Sequence, residues 1–170
     1  MMGFAKAPKY VFYFIGDGMS LNQVLGTQYF LSQEKGKTGI MPLGFTAFPY
    51  TGLATTFSAS SDVTDSAAGG TALACGEKTA NGSLGLSANQ ITKVKSIAEM
   101  AMEQGKRVGI ATSVTLNHAT PASFYAHQKS RNDYYEIGVE LTQSGFNFFG
   151  GGDFEENVKH DDKRAPELYK

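Results

Sequence analysis

Apolar residues fall along this chain in two alternating patterns: short continuous runs, and stretches in which they recur every three or four positions. Residues 10–15, Tyr-Val-Phe-Tyr-Phe-Ile, are apolar at every position before Gly16, Asp17 and Gly18 end the run. Such a run predicts a strand covered on both faces, as in a parallel sheet. From Ser20 to Gln33 the positions Leu21, Val24, Leu25, Tyr29 and Phe30 have helical spacing, with Ser20 or Asn22 as the cap. Residues 36–49 read as a loop, broken by Gly36, Gly39, Pro42, Gly44 and Pro49. Residues 50–57 predict a second strand, and 58–62 a polar loop after it.

Residues 66–75 predict a short helix stopped by Gly76, which takes the left-handed conformation without a Cβ penalty. The turn-rich residues 81–87 read as a simple connection. Val94, Ile97, Ala98 and Ala101 define one face of a helix over 91–104, ended by Gly105. Residues 107–114 read as a third strand of the buried type. A polar loop over 115–124 and a helical stretch with Tyr125, Ala126 and His127 follow. Asp133 caps a helix reaching Leu141, and 146–149 make a fourth strand closed by Gly150, Gly151 and Gly152. Strands alternating with helices define an α/β fold with a mostly parallel central sheet and helices on both faces. Residues 153–170 are charged and aperiodic, the pattern of a solvated or frayed tail.

Composition narrows the function classes. At 170 residues, 41% hydrophobic and 18% charged, the chain suits one globular domain without internal repeats. Fifteen basic residues against 16 acidic ones, with no basic run, argue against nucleic acid as a partner. No stretch approaches the length of a membrane span. The single cysteine, Cys75, excludes an internal disulfide framework and reads as a packed small residue. The first residues lack the apolar core of a secretory signal, as in a cytoplasmic chain or a mature one whose targeting segment has been removed.

Candidate chemistry centres on Ser66. Thr64, Asp65 and Ser66 before a helix are ordinary capping residues. The run that follows, Ala67, Ala68, Gly69, Gly70, Thr71 and Ala72, is not needed for capping. Its two glycines cost on the order of 1 kcal/mol each relative to alanine, which suggests clearance for an anion above the turn. Asp17 lies beyond the first predicted strand, where open α/β sheets bind ligands and where a hard metal is the natural partner for a carboxylate. Its plainer role is a turn residue between two glycines. His118 and Thr120 reach the same predicted edge from the third strand, with Arg131 beyond them. Arginine offers a fork that matches two phosphate oxygens, or simply a solvated surface charge. Ser66 lacks the G-x-S-x-G context of a hydrolase triad, and an alternative activator for it is a divalent metal.

The segment from Val63 to Thr71, V-x-D-S followed by four small residues and threonine, resembles the nucleophile signature of the alkaline phosphatase family. Gly16-Asp-Gly-Met19, His118-Ala-Thr-Pro121 and Ser130-Arg131 match in the expected order, and the resemblance covers about residues 9–152. It implies phosphate monoester hydrolysis through a phosphoserine on Ser66, with two zinc ions and one magnesium ion. Asp17 would bridge the second zinc and the magnesium, and Ser66 would also face that zinc. Thr120 would bind magnesium with His118 nearby, and Arg131, supported by Asp65, would grip the phosphoryl group. The implied partners are phosphate monoesters and inorganic phosphate, with homodimer formation and a periplasmic or extracellular setting. The family's zinc histidines have no counterpart among the three histidines here, and His160 with Asp161 and Asp162 is a poor substitute. The chain therefore reads as one partial domain, the N-terminal part of such an enzyme, inactive alone. Two other readings remain: a non-catalytic phosphate-binding module, and a related phosphodiesterase or phosphoglycerate mutase.

Overall fold

The computed structural model describes residues 8–155, which divide into two compact units at Leu53 and Ala54. In the first unit, α1 (Leu21–Glu34) begins where expected, with a reciprocal cap. The Asn22 N–H donates to Ser20 Oγ at 3.3 Å, and the Ser20 N–H donates to Gln23 Oε1 at 3.1 Å. Gln28 ties the following loop to the helix by donating to Thr46 Oγ1 at 3.0 Å and accepting from the Met41 N–H at 3.0 Å.

The two apolar segments expected to be strands, 10–15 and 50–57, form no ladder among the described residues. Phe14 is 87% exposed and Tyr50 91% exposed. A strand needs neighbours to pair its backbone and cover its faces, and composition alone does not supply them.

The second unit contains α2 (Ser66–Cys75), α3 (Ile97–Glu103), β1 (Gly109–Thr115), α4 (Ala119–Ala122), α5 (Tyr134–Gln143) and β2 (Phe148–Gly152). Strands β1 and β2 pair in parallel, Gly109 opposite Phe148 and Ala111 opposite Gly150, with an irregularity before Thr115 meets Gly152. The crossover between them carries α4 and α5, so the fold is α/β. β1 alternates between exposed and half-buried positions rather than being buried throughout, because β2 alone flanks it among the described residues. β2 runs on through the three glycines that were expected to close it. The core gathers Ala67, Leu84, Ala119, Ala122, Tyr125, Ala126, Ile137 and Leu141, ringed by Leu116, Phe146, Phe149 and Phe154.

Helix α2 has the predicted bounds, and Gly76 closes it at φ 74°. Its small residues, however, are buried. Ala67, Ala68, Gly70, Thr71 and Ala74 form the packed face, and a Cβ on Gly70 would stand 2.4 Å from Ser123 Oγ beside α4. Close helix approach accounts for that glycine without the clearance suggested by its cost.

Helix α3 starts six residues later than its apolar spacing suggests, because Ser96 and Glu99 form a capping box. The residues before Ser96 fold back instead, with the Val94 N–H donating to Gly85 O at 2.9 Å and the Ser87 N–H to Thr92 O at 2.8 Å. Local capping bonds outweigh a spacing that Val94 satisfied by chance.

The start of the expected tail is fixed. Asn117, fully buried, accepts from the Glu155 N–H at 2.8 Å and donates to Glu155 O and Tyr134 O at 3.2 Å. The segment His160, Asp161 and Asp162 lies outside the described residues. Among the described residues no helix is long and apolar enough to cross a membrane.

Gly85 has φ 57°, and a Cβ there would lie 2.3 Å from Ala126 O. Gly85→Ala is expected to cost about 2–3 kcal/mol through backbone strain and overpacking. A urea titration checks this: the midpoint falls while the slope stays constant.

Candidate active site

The site is built outward from one capping carboxylate. Asp65 sits in extended conformation before α2, and its Oδ1 accepts from the Ala68 N–H at 2.9 Å. Its Oδ2 accepts from the Gly82 N–H at 3.0 Å and from Arg131 Nη1 at 3.1 Å. Three donors thus converge on one carboxylate, and the paired side chains are each about a quarter exposed, 24% for Asp65 and 27% for Arg131. Ser66 follows as the first residue of α2, half-buried, in the turn whose N–H groups and dipole favour an anion.

Arg131 is presented to this carboxylate by pairing of its own segment with residues 82–84. The Arg131 N–H donates to Gly82 O at 2.6 Å, Ser83 Oγ to Lys129 O at 3.2 Å, and the Leu84 N–H to Gln128 O at 2.8 Å. The 81–87 segment, expected to be a simple connection, is therefore a buried partner of the arginine segment, with Ser83 and Leu84 fully covered.

His118 caps α4 by accepting the Thr120 N–H on Nδ1 at 3.3 Å, and its Nε2 lies 3.3 Å from Arg131 Nη2. Both partners are N–H donors, whereas neutral imidazole has one acceptor nitrogen. The two contacts therefore require different tautomers. A single neutral form of His118 therefore accepts from either the Thr120 N–H or Arg131 Nη2, while Arg131 Nη1 keeps its bond to Asp65.

Of the residues singled out from the sequence, Asp65, Ser66, His118, Thr120 and Arg131 all belong to the second unit and are linked by these contacts or by adjacency. Asp17 belongs to the first unit, exposed, in a turn closed by the Met19 N–H donating to Gly16 O at 3.3 Å, with Gly18 at φ 67°. Asn81, Gly82 and Asn117, expected only in connecting loops, hold the site together. The Asn81-Gly82 pair signals the turn it makes but not the distant partners it binds. Nothing local distinguishes Asn117, whose partners are distant in sequence.

Among the described residues no three His, Cys, Asp or Glu side chains group as a metal cage would require. Asp65 is already committed to Ala68, Gly82 and Arg131, so the described residues do not by themselves fit a complete zinc or magnesium site.

The family model for alkaline phosphatase matches residues 8–159. A membrane-bound alkaline phosphatase of Bombyx mori is 35% identical over 94% of this chain and 28% of its own length. The tissue-nonspecific isozyme of Gallus gallus is 37% identical over 74% of this chain and 26% of its own. Among solved structures, the alkaline phosphatase of the Antarctic bacterium TAB5 has a TM-score of 0.75 at 39% identity, covering 89% of this chain and 42% of that one. A histidine-to-glutamate variant of it with magnesium bound has a TM-score of 0.71 at 40% identity, covering 80% of this chain and 37% of that one. The chain belongs to the alkaline phosphatase family. It spans about a quarter of the length of these curated relatives.

At the far end of α2, burial pushes the Cys75 thiol from 9.0 up to about 12, helped by the carboxylates of Glu99 and Glu77. Its Sγ lies 3.6 Å from Val94 O. At pH 8 alkylation of the folded chain is expected to be far slower than that of a free thiol. Because the folded value is the raised one, this contribution to stability is complete below 9.0 and fades as pH climbs toward about 12. Iodoacetamide labelling and denaturation across that range check both outcomes.

Asp65→Ala removes the cap, the Gly82 contact and the arginine's partner together, at an expected cost of about 2–4 kcal/mol. Asp65→Asn, which can keep the cap, is expected to cost less. Denaturation midpoints of the two variants test this ordering.

Proposed function

We propose that this chain is the part of a phosphomonoesterase that carries its nucleophile and its phosphoryl-gripping arginine. The observation that carries this reading is the Asp65 carboxylate, which holds Arg131 by a 3.1 Å bond while capping the helix that begins with Ser66. In the first step the Ser66 oxygen attacks phosphorus, the bond from phosphorus to the leaving alcohol breaks, and phosphoserine forms. In the second step water attacks phosphorus, the bond to Ser66 breaks, and inorganic phosphate and serine are returned. The Arg131 fork matches two phosphoryl oxygens, and the first turn of α2 adds positive potential beside the nucleophile.

Two zinc ions and one magnesium ion are the cofactors we assign to the whole protein, where they supply alcohol activation and charge neutralisation. Asp17, Ser66 and Thr120 are this chain's contribution to binding them, with His118 beside the magnesium. The remaining donors come from outside the described residues. The magnesium bound in the histidine-to-glutamate variant of the TAB5 enzyme supports the magnesium part of this reading. Substrates are phosphate monoesters. We place the whole protein in the periplasm or outside the cell, as a homodimer.

The 170-residue chain alone is expected to show no turnover of p-nitrophenyl phosphate at alkaline pH with added zinc and magnesium. In the whole protein, Ser66→Ala is expected to lower turnover by on the order of a thousandfold or more. Turnover by the chain alone that Ser66→Ala abolishes would contradict its inactivity. Calorimetric binding of inorganic phosphate in a chelator, with no turnover by the whole protein, would favour a binding module instead.

A further inference from the structure

We propose that Asn81 is a positioning residue for the Ser66 reaction, holding the backbone that leads into the nucleophile in register with Arg131. This role rests on the phosphoserine reading above. The Asn81 side chain brackets the residues before Ser66: Oδ1 accepts the Asp65 N–H at 3.3 Å, and Nδ2 donates to Val63 O at 2.9 Å. Only this orientation of the amide satisfies both groups, since one offers a donor and the other an acceptor. Asn81 is itself anchored, because its own N–H donates to Ser60 Oγ at 2.9 Å.

The next residue carries the connection across to the arginine. The Gly82 N–H donates to Asp65 Oδ2 at 3.0 Å, and Gly82 O accepts the Arg131 N–H at 2.6 Å. Gly82 makes both bonds at φ 86°, a conformation that glycine adopts without strain. One turn therefore grips the main chain on the N-terminal side of Ser66 and the main chain of Arg131. Asp65 aims the guanidinium, but a carboxylate is only as well placed as the backbone that bears it, and Asn81 holds that backbone.

In-line attack tolerates little displacement of nucleophile against phosphoryl group. With Asn81 truncated, Asp65 still caps α2 and still pairs with Arg131, so the fold survives while the approach to Ser66 loosens. Asn81 is exposed, and an exposed residue contributes little to global stability. A residue serving only to satisfy its own loop would change stability and leave the chemistry alone.

The test uses the whole protein carrying Asn81→Ala, Asn81→Asp, Asp65→Asn and the double variant Asn81→Ala with Asp65→Asn. Asn81→Ala is expected to lower kcat/KM for p-nitrophenyl phosphate by about ten- to a hundredfold with the melting temperature nearly unchanged. Asn81→Asp, which keeps the acceptor for the Asp65 N–H, is expected to lose less. In the Asp65→Asn background the Asn81→Ala effect shrinks, because both act through the same arginine. Amide hydrogen exchange at residues 64–68 is expected to quicken in Asn81→Ala whether or not the protein is active. Unchanged exchange there, kcat/KM within twofold of the parent, or losses that simply add would overturn the assignment. Faster exchange in a protein whose unmodified form has no phosphatase activity would overturn the phosphatase reading and leave the clamp standing.

Discussion

Everything in the candidate site hangs on how the Asp65 carboxylate divides its lone pairs. One oxygen closes the open end of α2 through Ala68, and the other is shared between a turn and a cation, Gly82 and Arg131. A capping carboxylate is normally a local device worth about 1 kcal/mol. Here the same group spans 66 residues of sequence, so local helix geometry and distant placement of the guanidinium become one constraint. A half-satisfied version would be worse than none, because a partly buried charge without its partners is costly.

That constraint works because α2 sits very close to its neighbours. Gly70 admits Ser123, and Thr71 is fully buried where its hydroxyl accepts the Gly85 N–H at 3.0 Å. Larger side chains along this face would push α2 away from α4 and from the 82–85 segment. Asp65 could not then reach Gly82. The small residues thus serve placement through packing, while Ser66 stays at the helix end where its environment is polar.

What could be read from the chain follows the range of the forces involved. Helix α2 was legible to the residue because its ends are set by neighbours, Asp65 at one and Gly76 at the other. The family was legible for the same reason: the signature at Val63 to Thr71 is one short segment. The extended segments 10–15 and 50–57 were not, since a strand exists only when a distant partner pairs with it. Helix α3 shows the opposite failure: the Ser96 and Glu99 pair announced the true start, and apolar periodicity was given priority over it. Asn117 and Gly82 matter through partners 17 or more residues away, and no spacing rule reveals them.

The exposed aromatic run at 10–14 has a consequence for the solubility of the chain. It holds five consecutive apolar residues without proline or charge, with Phe12 79% exposed and Phe14 87% exposed, outside any ladder among the described residues. A segment of that composition associates readily with copies of itself. Self-association is at least second order in protein, so it gains on every first-order folding step as concentration rises. The soluble yield on refolding should therefore decline as concentration rises, set by the aromatic run rather than by the candidate site.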